Sequence, residues 1–268
     1  MIGDVVGDPG LEVLENRLPH LKNEFSADFI TVNGENAAGG FGLTEALLQR
    51  IFSAGADVVT SGNHIWEKRE FWPVLDSEKR VLRPMNFPAE TPGRGWVIIE
   101  KPSPLGPISW LTVNLQGREF MNPIDCPFKS FDYLEMNIQD SAKDKTPMGK
   151  PVILVDFHAE STKEKEALAY YLDGRVCVIA GTHSHVQTAD ERILPKGSAY
   201  ISDLGMTGVM DGIIGMDRKI CMDRARNQVL YRMEIAAPES NGKIAINGIL
   251  VEIDVDNRKA LSIKRFSA

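Results

Sequence analysis

The sequence predicts an α/β fold, a parallel sheet with covering helices followed by an antiparallel finish. Three observations predict it. An amphipathic helix followed by a short β-branched run occurs twice in the first quarter of the chain, the alternation resumes between Pro151 and Ala180, and the stretch from Gln228 to Arg265 is rich in β-formers.

The elements are read in order. Leu11, Leu14, Leu18, Leu21 and Phe25 recur at three- and four-residue spacing among charged residues, which predicts a helix over Leu11–Phe25. Asp28 to Asn33, ending at Gly34, has the character of a buried strand. Thr44 to Ala54, closed by Gly55, predicts a second helix, and Ala56 to Thr60 a second strand that stops at Ser61-Gly62. After a Pro- and Gly-rich crossing from Pro84 to Gly95, Trp96–Lys101 and Ile108–Leu115 read as a hairpin across the turn-rich Pro102–Pro107. Pro151–Val155 is a strand, Ser161 and Glu164 form a capping box opening a helix, and Val176–Ala180 is the next strand. The finish is read as three β-runs separated by Asn241-Gly242 and Asp256-Asn257 turns. No long linker interrupts the pattern, so residues 1–268 are expected to form one domain with two sheets.

Composition narrows the function classes. The 268 residues are 43% hydrophobic and 25% charged, with 23 Gly and 15 Pro, which excludes collagen-like, disordered and disulfide-scaffold chains. The formal charge of −7 offers no global field for duplex nucleic acid, so an anionic substrate needs a local cation. Cys126, Cys177 and Cys221 form no CxxC pair, which argues against thiolate zinc. They read as buried small hydrophobes in a reducing compartment. No run approaches the ~18 apolar residues of a membrane span and no signal peptide opens the chain, so no membrane association and a cytoplasmic location are expected.

The chemistry is expected at the carboxyl ends of the strands, where open α/β sheets place ligands. Five such segments carry candidate ligands: Gly3-Asp4, Asn33-Gly34-Glu35-Asn36, Gly62-Asn63-His64, Asp156-Phe157-His158 and Gly181-Thr182-His183-Ser184-His185. Four of the five histidines lie in them. Asp4 and Asn63 taken singly are equally turn formers. His183 and His185 are two apart, so in an extended segment both imidazoles aim at one point. Two histidines without cysteine suit Zn, Fe or Mn. Asp4, Glu35, Asn36, Asn63, His158, His183 and His185 are too many ligands for one tetrahedral ion and suit two ions sharing a carboxylate, the arrangement that serves phosphoryl hydrolysis.

The segments GDVVGDPG, NGENAAGGFGLT, SGNHIW, RPMNFP, NLQGR, DFHAE, GTHSHVQTAD, ILPKGSAY and SDLGMTG resemble, in order and character, the YmdB-like branch of the calcineurin-like metallophosphoesterases. The resemblance runs from about Ile2 to Arg265. It implies a four-layer α/β/β/α sandwich with two mixed sheets, a dinuclear iron or manganese centre, and hydrolysis of small phosphodiesters such as 2′,3′-cyclic nucleotides. Carried over, Asp4, Asn36 and His185 bind the first metal, Asn63, His158 and His183 bind the second, and Glu35 bridges. His64 is then the catalytic acid that protonates the leaving oxygen, with a metal-bound hydroxide as nucleophile. An imidazole near its ordinary pKa of ~6.5 suits that task.

Two departures from the wider superfamily support the narrower branch: Val6 stands where a histidine is common, and the bridging position is Glu35 where an aspartate is usual. Zinc remains a competitor by affinity order. The apolar strand ahead of Asp4 is short, which predicts lower occupancy of the first metal position. Asp156 reads either as an acceptor orienting an imidazole or as a turn residue, the glycine-dense Gly205–Gly215 as a rim or an ordinary surface loop, and Arg118 as a solvated charge. Two alternatives stand beside the phosphodiesterase. One is a phosphomonoesterase or phosphoprotein phosphatase; the other is a metal-stabilised regulatory protein acting through an RNA-processing protein partner. A homo-oligomer is compatible with the resemblance alone.

Overall fold

The structure, a computed structural model, describes residues 1–103, 106–143, 150–240 and 242–268. Pro104 and Leu105 of the expected hairpin turn, and Asn241 of the expected Asn241-Gly242 turn, lie outside the described residues. In chain order the elements are β1 (Asp4–Val5), α1 (Gly7–Glu24), β2 (Thr31–Asn33), α2 (Glu45–Ser53), β3 (Val58–Thr60) and α3 (Trp72–Ser77). Then come β4 (Trp96–Lys101), β5 (Ile108–Gln116), α4 (Pro127–Lys143), β6 (Val152–His158), α5 (Thr162–Leu172) and β7 (Val178–Thr182). The chain closes with β8 (Arg192–Ile193), β9 (Ala199–Ile201), β10 (Met206–Val209), α6 (Arg218–Asn227), β11 (Ile244–Asp254) and β12 (Lys259–Ser267).

The fold is mixed α/β. One sheet has the order β4-β5-β6-β7-β9-β8, a second β1-β10-β11-β12, and β2 pairs with β3. Ile2 bridges Val32 in parallel and Gly248 in antiparallel, which joins the β2–β3 pair to the second sheet. The expected hairpin forms with Trp96 opposite Val113, and β5, β6, β7 and β9 run parallel.

Strand alternation assigns the two faces of the six-stranded sheet. Leu111, Val113 and Leu115 of β5 and Val155 and Phe157 of β6 pack with Phe131 and Leu134 of α4 and Leu168 and Leu172 of α5. The intervening residues Trp110, Val152, Leu154, Val178 and Ala180 pack with Ile249 of β11 and Ala260 of β12. Leu11, Leu14, Leu18 and Leu21 of α1 form a third core with Val32, Leu48 and Ile51. The face of β6 that begins with Val152 and Leu154 therefore continues to Asp156 and His158, carrying the histidine to a strand end in the interior, with no exposed surface.

Several expectations need correction. The Thr44 hydroxyl accepts from Leu47 N and the Ser161 hydroxyl from Glu164 N, so both N-caps form. The Glu164 carboxylate does not complete a capping box, because it accepts from the backbone N–H groups of Arg118 and Glu119 instead. The first of the three closing β-runs is not a strand: Gln228 to Arg232 are exposed, the edge of β11 is taken by β10, and only Ile235 bridges Met216. The Asp256-Asn257 turn forms, with Asp254 accepting from both backbone N–H groups. Only Cys177 is buried; Cys126 and Cys221 are half-buried, and all three are unpaired. Among the described residues no helix is long and apolar enough to cross a membrane.

Candidate metal centre

The eight residues singled out from the sequence are gathered where parallel strands end. Asp4 opens β1, Glu35 and Asn36 lie in the turn after β2, Asn63 and His64 in the turn after β3, His158 ends β6, and His183 and His185 follow β7. Their contacts fall into two halves. In one, His158 Nε2 lies 2.9 Å from Glu35 Oε1, 3.1 Å from Asn63 Oδ1 and 3.0 Å from His183 Nδ1. In the other, Asn36 Nδ2 lies 3.1 Å from His185 Nε2. Asp4 joins them: it accepts from His183 N at 3.3 Å, its Oδ1 is 4.0 Å from His158 Nδ1, and it feels the charge of His185.

The orientation of His158 is fixed by a relay that direct sequence reasoning missed. His158 Nδ1 is 3.0 Å from the Thr182 hydroxyl, which donates at 2.7 Å to Asp156. Asp156 also accepts from Thr60 and Asn33, which leaves the Thr182 oxygen as acceptor for the Nδ1 proton. Nε2 then faces Glu35, Asn63 and His183. Asp156 is thus not a turn residue; it lies inside β6 and orients the His158 imidazole through Thr182.

His183 and His185 do not converge by strand alternation. The strand ends at Thr182, and both histidines have left-handed backbones, φ 103° and 65°, which non-glycine residues rarely adopt. The turn directs them to different halves of the centre. Its backbone is held by Asp203, which accepts from Ser184 N at 3.0 Å and from Gly205 N at 2.8 Å and pairs with Lys165 at 2.8 Å. Both members of that pair are buried. His185 Nδ1 meets the Ile214 carbonyl at 2.8 Å, and His183 Nε2 meets Glu160 at 3.0 Å. A buried lysine in an amphipathic helix leaves no periodic signal; Glu160, two residues after His158, was open to inspection.

The electrostatics are those of an acceptor-rich cavity. Burial pushes the Asp4 carboxyl up to about 7, against the pull of His185 and His158. Burial and the charge of His158 push His183 down to about 3, so its ring is neutral. In the pair of His158 and Glu35, burial opposes both charges, yet their mutual attraction wins: the carboxyl is held below its ordinary value and the imidazole above. Among the described residues Asp4 Oδ1 is buried without a hydrogen-bond donor, and Glu35 Oε1 faces only His158 Nε2. Glu35, His158 and His183 each offer a ligand atom within 4.8 Å of the others. Oxygen and nitrogen lone pairs converging with too few protons between them fit a hard or borderline cation, and no sulfur takes part.

His64 stands at the edge of this cluster with its side chain 26% exposed. Its backbone N–H donates to Glu35 Oε2 at 2.9 Å, its Nδ1 is 3.5 Å from Glu67, and the Phe41 ring meets its imidazole edge-on at 4.9 Å. The glycine-dense stretch is not all loop, since Met206–Val209 is the buried β10 that pairs with β1. Among the described residues the Arg118 guanidinium reaches only Cys126.

Comparison with known proteins bears on this arrangement. The family described as YmdB-like protein matches residues 1–266. A 2′,3′-cyclic-nucleotide 2′-phosphodiesterase of Bacillus subtilis (strain 168) is 44% identical over 264 residues, covering 98% of this chain and 94% of that protein. A crystal structure of a novel phosphatase from Mycoplasma pneumoniae superposes with a TM-score of 0.88 at 31% identity, covering 100% of this chain and 91% of the other. A hypothetical protein of Thermus thermophilus superposes with a TM-score of 0.86 at 35% identity, covering 100% of this chain and 97% of the other.

Proposed function

The chain belongs to the YmdB-like family, and from that premise we propose that it is a dinuclear metal-dependent phosphodiesterase acting on small phosphodiesters such as 2′,3′-cyclic nucleotides. One observation carries the reading. Glu35 Oε1, Asn63 Oδ1 and His183 Nδ1 all lie within 3.1 Å of His158 Nε2, while the other Glu35 oxygen holds the backbone of His64.

In this reading residues 1–268 form one domain, a four-layer α/β/β/α sandwich, for which the three largest apolar cores give support. Asp4, Asn36 and His185 would hold one ion and Asn63, His158 and His183 the other, with Glu35 placed to serve both. Two ions so held, iron or manganese with zinc as competitor, would supply positive charge to the phosphate and would lower the pKa of a water. The chain does the rest. Glu35 ties the metal half to the His64 backbone, so the acid keeps a fixed place relative to the ligands. Glu67 faces Nδ1 of His64, leaving Nε2 to give its proton to the oxygen that departs as the P–O bond breaks. The B. subtilis relative's name supports the cyclic diester as substrate. The three unpaired cysteines support a reducing, cytoplasmic setting.

Paired assays test the reading. Protein reconstituted with manganese or iron is offered 2′,3′-cyclic AMP and a phosphomonoester of the same nucleoside. Faster cleavage of the diester is expected; faster cleavage of the monoester assigns the same clamp to a phosphatase.

A further inference from the structure

A pocket of about 350 Å³ with no carboxylate in its wall is lined in part by Phe41, whose ring meets that of His64. Lys68, Arg224 and Arg232 line it together with Phe41 and Tyr231. Among the described residues no acidic side chain pairs with any of the three cations, although other exposed basic groups such as Arg218 and Lys219 have such partners. Arg224 donates one N–H to the Tyr231 carbonyl, at 2.7 Å, which ties that segment of the wall to α6. The wall is linked to the metal centre through one segment: Ala38, Gly39 and Phe41 lie two to five residues after Asn36, and Phe41 touches His64. In a chain of net charge −7 this is a local concentration of unpaired positive charge.

Resting on the phosphodiesterase reading, we propose that the pocket is a second-phosphate subsite. It takes a further phosphate of a nucleotide whose scissile diester lies at the metal centre, with Phe41 and Tyr231 flanking the nucleoside. Lys68 and Arg232 supply charge-assisted hydrogen bonds, and an aromatic face suits any base. The substrate class is therefore a nucleotide with a phosphate beyond the one cleaved, either 5′-phosphorylated or joined to a neighbouring nucleotide.

Calorimetry on manganese-reconstituted protein compares adenosine 3′,5′-bisphosphate with adenosine 3′-monophosphate. The bisphosphate is expected to bind roughly tenfold tighter or better, the size of one or two charge-assisted contacts. The ratio should fall toward one in the Lys68→Ala/Arg232→Ala double variant and persist in Lys68→Arg/Arg232→Lys. A ratio near one in the unaltered protein, or one unchanged by the double alanine variant, overturns the subsite even if diesters are hydrolysed. A ratio that behaves as expected in protein that cleaves no diester keeps the subsite and removes the phosphodiesterase reading. Relative kcat/KM for 5′-phosphorylated adenosine 2′,3′-cyclic phosphate and for a dinucleotide ending in a cyclic phosphate then tells which source the pocket takes.

Discussion

His158 and Thr182 are joined at 3.0 Å, Nδ1 to hydroxyl, and the hydroxyl donates its own hydrogen bond to Asp156 at 2.7 Å. The pair fixes which nitrogen of His158 faces Glu35, Asn63 and His183. Replacing Asp156 by Asn removes the anion that orders the relay, and Thr182→Val removes its middle. Either change should weaken metal binding by about 10–100-fold, as loss of a partner behind a ligand histidine does. Competition with a chelator measures it, and affinities unchanged in both variants would dissociate the relay from the centre.

Gly62 makes the same point sterically. A Cβ there would stand 2.1 Å from His158 Cδ2 and 2.2 Å from Nε2, so only glycine lets the turn after β3 lie against the imidazole. Gly62→Ala is expected to displace the ring, reduce metal content as His158→Ala does, and cost about 1–3 kcal/mol of stability through overpacking. Metal analysis and urea denaturation of the two variants check this; a full metal complement in Gly62→Ala contradicts it.

Lys165 and Asp203 are a buried ion pair with side chains 3% and 2% exposed. Lys165→Met leaves the Asp203 charge uncompensated and should cost about 3–5 kcal/mol. The double variant Lys165→Met/Asp203→Leu should regain part of that stability without regaining metal affinity, because Asp203 also holds the backbone of Ser184 and Gly205. Recovery of both together would mean that the pair does not position the histidine turn.

Much of the centre was legible in the sequence because its ligands sit where strand patterns stop. The run ending at His158, the Asn33–Asn36 stop and the Gly62-Asn63-His64 stop all mark strand ends by composition, and the structure brings their side chains together. The turn of His183 to His185 was not legible. Its two left-handed backbones are imposed by Asp203 and Lys165 from distant elements, and two-residue spacing alone suggested an extended segment. The same holds for β10, a glycine-bearing strand whose only signal is its position between β1 and β11. The α6 helix buries none of its residues, so no apolar stripe announces it, and its start rests on the Asp217 cap of Ile220. By contrast α4 carries Phe128, Phe131, Leu134 and Ile138 at helical spacing, a pattern present in the sequence that could have been used.

Tyr200 gives a pH prediction away from the centre. Its ring is fully buried and its hydroxyl meets Ser202 at 2.9 Å; burial pushes its pKa up to about 12. Below pH ~10 both folded and unfolded chains keep the proton. Between about 10 and 12 the unfolded chain loses it while the folded one does not. Stability therefore falls with rising pH in that window, by about 1.4 kcal/mol per unit from this group. The difference between the wild-type and Tyr200→Phe stability curves should show that slope, and parallel curves would contradict it.

The most direct test is hydrolysis of 2′,3′-cyclic AMP by manganese- or iron-reconstituted protein beside its His64→Ala variant, with metal content determined for both. Turnover should drop by about 10²–10⁴-fold in the variant while both keep the same metal complement. Equal turnover would remove His64 from the reaction, and no metal-dependent cleavage by the unaltered protein would contradict the phosphodiesterase assignment itself.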